Sequence, residues 1–169
     1  MLQLIRIWNR IRRGALYAML MLLFLLLQDA VFIHVAPFGV RALFMPALVV
    51  AVGLFEGGWR GGVFGLVAGF FADLSGTSIH VLFTVLYPLM GFTMGFLAEF
   101  LLNQHFYVYL IGAITALFLS AFCQMFRLLV TYPDVTWALW KTCILQTLWS
   151  IPFLFLAYYA CKALPRRLG

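Results

Sequence analysis

Six apolar runs cut apart by a few charged residues constrain this chain more than any single motif in it. A hydrocarbon core about 30 Å thick is crossed by about 20 helical residues, and charges mark where such spans begin and end. The runs lie at about 14–32, 42–55, 61–73, 79–98, 107–126 and 142–161. With 66% hydrophobic and 9% charged residues, a water-soluble domain of 169 residues has no means of covering its apolar surface. The expected fold is an all-α polytopic membrane protein, a single domain over 1–169 with six transmembrane helices. The opening "MLQLIRIWNRIRRG" leads into the first run, which no small-residue cleavage site closes, so a retained span is expected rather than a signal peptide.

An even number of spans puts both termini on one side. If that side is the cytoplasm, Arg6, Arg10, Arg12, Arg13, Arg60, Lys162, Arg166 and Arg167 lie inside, with Glu56 and Glu99. Arg41, Arg127 and Lys141 then lie outside with Asp29, Asp73 and Asp134, and the whole net charge of +6 falls on the inner face. This is the asymmetry that orients membrane proteins. Arg10, Arg12 and Arg13 at one end and Arg166 and Arg167 at the other are read as anchors on anionic lipid, each contributing about 1 kcal/mol. No extramembrane domain that could hold a nucleic acid is expected. Trp8, Trp59, Trp137 and Trp140 fall at span ends, where an interfacial aromatic belt is expected.

The second and third spans are short. Arg60 to Asp73 is about 20 Å of helix and Arg41 to Glu56 about 22 Å, so the outer end of this hairpin, joined by "EGGWRGG", is expected to sink below the membrane surface. Asp73 then lies at membrane depth, in a buried polar turn with Ser75 and Gly76. Backbone at that depth must be satisfied within the protein. Ser75, Thr77 and Ser78 are candidate caps for the fourth span, Asp73 falls near its positive end, and Arg41 or Arg127 is a candidate charge partner. Gly61, Gly65 and Gly69 recur every fourth residue, as do Gly91 and Gly95, and such faces let helix backbones approach closely. Each seam is open to two uses, internal packing or a partner's helix. Pro46, Pro88 and Pro152 fall within spans two, four and six, where kinks are expected.

Chemistry-bearing motifs are missing from the sequence: no metal-binding His-Glu-x-x-His, nucleophile elbow, phosphate loop or dinucleotide fingerprint occurs. Asp73, Ser75, Ser78 and His80 lie within eight residues, and capping accounts for them without a catalytic relay. Cys123, Cys143 and Cys161 are isolated in apolar sequence and read as core filler. Neither a cofactor nor a metal is expected, and no enzymatic activity.

Four stretches taken in order, "LLQDAVF", "FGVRALFMPALVVAVGLFEGG", "GGVFGLVAGFFADLSG" and "YPLMGFTMGFLAE", resemble the bacterial rod-shape-determining MreD family. The resemblance covers roughly residues 16 to 105 and is carried by Gln28, Gly39, Pro46, Gly65, Gly69, Asp73, Ser75, Gly76, Gly91 and Gly95. The chain departs from the family at Ala47, often acidic or amide there, and at Ile79 and His80, where a glycine is frequent. The resemblance implies a non-enzymatic subunit of the cell-wall elongation machinery in the bacterial cytoplasmic membrane. Its partners would be MreC and, through it, RodA, a class B penicillin-binding protein and MreB. It also implies a fold like the substrate-binding subunits of energy-coupling-factor vitamin transporters. That likeness supplies the alternative, a vitamin-capture subunit using Asp29, Arg41, Asp73 and the "DLSGTSIH" turn.

Overall fold

The computed structural model describes residues 2–27, 43–74, 81–100, 106–131 and 136–166. These residues form six helices and no strand: α1 (Leu2–Leu26), α2 (Met45–Glu56), α3 (Gly58–Leu74), α4 (Leu82–Phe100), α5 (Phe106–Thr131) and α6 (Thr136–Arg166). Three of them contain stretches long and apolar enough to cross a bilayer, Leu82–Phe100, Phe106–Phe126 and Trp137–Ala163. The apolar part of α1, Gly14–Leu26, and the whole of α2 are shorter. Several helices outrun their apolar runs: α1 starts at Leu2 and α6 covers Thr136–Arg166 rather than 142–161. Arginine and lysine are good helix formers, so a charged flank ends an apolar run without ending the helix.

The centre of the molecule is α2. Twelve residues make about 18 Å of helix, and every residue from Met45 to Leu54 is buried. A helix apolar on all sides belongs inside a protein, and α2 touches each of the other five helices. In lipid this burial gains little hydrophobic free energy, because the tails are as apolar as leucine; the gain is in close packing. Pro46 does not kink α2. It occupies the first turn, where its missing N–H has no intrahelical partner to lose and its fixed φ suits a helix start. Pro88 lies inside α4, and Pro152 falls within α6.

The turn between α2 and α3 is a single residue. Gly57 has φ 90° and donates its N–H to the Gly53 carbonyl at 3.0 Å, while Gly61 donates to the Gly57 carbonyl at 2.9 Å. A positive φ here is open to glycine at little cost, so the chain reverses at once. Gly58, Trp59 and Arg60, expected in a loop, are therefore the first turn of α3, which at 17 residues is about 26 Å long.

α5 and α6 close the other side. Tyr109 donates its hydroxyl to the Leu154 carbonyl at 2.9 Å, and Phe122 lies against Trp140 with ring centroids 5.7 Å apart. The N-terminal end of α2 is tied to α6 by Leu43, whose N–H donates to Ser150 Oγ at 3.0 Å, and by Phe44 on Phe153.

Candidate functional site

The glycines of α3 and α4 face each other. A Cβ built on Gly65 would stand 2.5 Å from the Tyr87 carbonyl oxygen. One on Gly61 would strike Gly53 Cα and the Gly91 carbonyl, and one on Gly69 the Phe83 backbone. From the opposite side, a Cβ on Gly91 would strike Gly61 and one on Gly95 would strike Gly58. All five glycines are buried. The two seams thus interlock within one chain, and neither face is left open as a bare glycine surface. Gly53, Gly57 and Gly58 complete the contact and were not singled out from the sequence. The signal was present, because 53, 57, 61, 65 and 69 form one series at intervals of four that runs across the turn.

Asp73 sits at the far end of α3, 8% exposed. Its Oδ1 accepts the Phe83 N–H at 3.1 Å, and its Oδ2 accepts both the Thr84 N–H at 2.8 Å and the Thr84 hydroxyl at 2.6 Å. These two amides belong to the first turn of α4, where N–H groups have no partner within the helix. The residue before α4 is Val81, which has no side-chain acceptor, so α4 borrows its cap from α3. A carboxylate there also meets the positive end of the helix dipole. The placement beside the fourth helix matches the expectation from sequence, and Thr84 is the partner that sequence reasoning missed.

Ser75, Gly76, Thr77, Ser78 and His80 lie outside the described residues, as do Gln28, Asp29, Gly39, Arg41 and Arg167. The side chains of Arg10, Arg13, Arg127 and Arg166 also lie outside them, whereas Arg12 is described and exposed. Of the polar residues a vitamin pocket would use, Asp73 is the one described, and its carboxylate is occupied by α4. Among the described residues no group of three His, Cys, Asp or Glu side chains converges as a metal site.

Three more charged residues gather at the opposite end of α3. Glu56 and Arg60 form an ion pair across the Gly57 turn, and Glu99 at the end of α4 brings Oε1 within 2.7 Å of where a Gly57 Cβ would stand. The hairpin therefore has one acid at the start of α4 and two at the end where α2 turns into α3. No family model, curated protein or solved structure matches this chain.

The geometry brings together Gly61, Gly65, Gly69, Gly91, Gly95 and Asp73 as one construction. The glycines let α3 and α4 approach closely, and Asp73 ties their ends. This arrangement holds helices in place.

Proposed function

We propose that the chain is a non-enzymatic MreD-type scaffold of the bacterial cytoplasmic membrane. In this reading α1 to α3 complete a six-span layout with both termini cytoplasmic, and the bundle binds MreC and, through it, RodA, a class B penicillin-binding protein and MreB. The observation that carries it is the overlap between the motif series and the interlocked corner. Pro46 starts α2, Gly65, Gly69, Gly91 and Gly95 set the α3–α4 distance, and Asp73 caps α4. Residues spent on fixing helix positions suit a protein whose product is a shape. Because the glycine seams are filled from within, a partner's transmembrane helix meets the outward faces of the bundle rather than the seams.

The test is co-expression with tagged MreC, solubilisation in mild detergent and affinity purification. The expected result is recovery of this chain with MreC in a fixed ratio. A folded, monodisperse chain that never co-purifies with MreC overturns the assignment.

A further inference from the structure

Tyr87 is fully enclosed, 0% exposed, and its hydroxyl has no hydrogen-bond partner within the protein. A polar group out of water without a partner is costly, and lipid cannot supply one. Long side chains on a helix lean toward its N-terminus. The Tyr87 ring accordingly lies along that of Phe83, with centroids 5.0 Å apart, and carries its hydroxyl toward the start of α4. Asp73 binds there, with Oδ1 on the Phe83 N–H, and its charge reaches the Tyr87 hydroxyl. A carboxylate offers about four lone-pair sites, and the Phe83 N–H, the Thr84 N–H and the Thr84 hydroxyl fill all but one, which is on Oδ1. A buried donor without an acceptor thus stands near an acceptor with room for one more bond.

The first turn of α2 reaches the same depth. Gly53 lies against Gly61 and Gly91, and Gly69 lies against Phe83. Counting eight residues outward along each helix, Met45 stands level with Gly69 and Phe83. The ladder of α2 opens with the Leu48 N–H on the Phe44 carbonyl, and no side chain caps the helix. Its earlier amides therefore have no intrahelical acceptor, although Met45 and Ala47 are buried.

We propose that one buried water molecule bridges Tyr87 and Asp73, accepting the tyrosine O–H and donating to Oδ1. The link has to accept from one group and donate to the other, and water does both. A metal cation would draw on lone pairs of both oxygens and leave the tyrosine proton without an acceptor. The second lone pair of the water is open to an amide at the start of α2, which gives the three bonds typical of an internal water. Through this water the Asp73 cap extends from the first turn of α4 to its second and into the centre of the bundle.

Thermal unfolding of Tyr87→Phe in detergent, alone and combined with Asp73→Ala, tests this as a double-mutant cycle. Tyr87→Phe keeps the ring and its packing. It should lower the unfolding midpoint by about 2–4 °C, and by under about 1 °C where Asp73 is already alanine. A Tyr87→Phe protein melting at or above the unmodified chain overturns the proposal, because removing a hydroxyl that bonds to nothing costs no stability. An equal loss in both backgrounds overturns it too. A midpoint that rises when sodium replaces choline as the salt cation overturns it in favour of a metal ion. A density map that resolves ordered water decides the matter independently, including where the double variant does not fold. The expected result is a peak within about 3.2 Å of both Tyr87 Oη and Asp73 Oδ1; a direct bond between the two groups, or no peak between them, overturns the proposal.

Discussion

Asp73 holds Thr84 by both of its donors, Oδ2 lying 2.8 Å from the amide nitrogen and 2.6 Å from the hydroxyl. One carboxylate thus closes the hairpin of α3 and α4 at the end opposite the Gly57 turn, and the neighbouring Phe83 N–H uses its second oxygen.

Replacing that carboxylate should loosen the hairpin. Asp73→Ala leaves two amides of α4 without their acceptor, and Asp73→Asn keeps one oxygen while turning an NH₂ donor toward donors. Each should cost about 1–3 kcal/mol. For a chain of this size that lowers the midpoint of thermal unfolding by about 2–4 °C per kcal/mol. Thr84→Val, which removes the hydroxyl alone, should cost less than either. An Asp73→Asn protein melting with the unmodified chain would contradict the capping role.

At the glycine seam the sign of a substitution is diagnostic. Glycine to alanine within a helix ordinarily stabilises by about 0.5–1 kcal/mol. At Gly65 and Gly69 the new methyl would collide with backbone of α4, which cannot move as a side-chain tip can. Gly65→Ala and Gly69→Ala should therefore destabilise by about 1–3 kcal/mol, whereas Gly14→Ala, with open space around it, should follow the ordinary trend. Thermal unfolding in one detergent compares all three, and stabilisation at 65 or 69 would mean that α3 and α4 are not interlocked.

The hydrogen bond that joins α5 to α6 and the one that ties the start of α2 to α6 should differ in strength for a stated reason. Tyr109→Phe removes a donor to the Leu154 carbonyl, and should cost about 0.5–1.5 kcal/mol. Ser150→Ala strips the acceptor from the Leu43 N–H, a buried amide before the start of α2, and should cost more, about 1–3 kcal/mol. The order of the two melting temperatures checks it; Tyr109→Phe falling below Ser150→Ala would contradict the account.

Much of the architecture was readable along the chain. Apolar runs bounded by charges located the helices, since hydropathy and length act on each segment separately. The four-residue spacing of Gly61, Gly65, Gly69, Gly91 and Gly95 marked surfaces for close packing, and Asp73 announced a polar junction beside the fourth helix. Helix ends were less legible. Gly58–Arg60 joined α3 because Gly57 reverses the chain alone, and Pro46 serves the start of α2 because that helix begins one residue earlier, at Met45.

The sequence by itself determined which segments are apolar helices, where glycine thins a face and where the charges gather, because these depend on residues near one another in the chain. The tertiary structure alone decided that the two glycine faces meet each other, that α2 is enclosed on every side and that Asp73 caps a helix other than its own. Close packing pairs backbone atoms from distant segments, and a glycine face is equally suited to its own chain or to a foreign helix until the neighbour that fills it is in place.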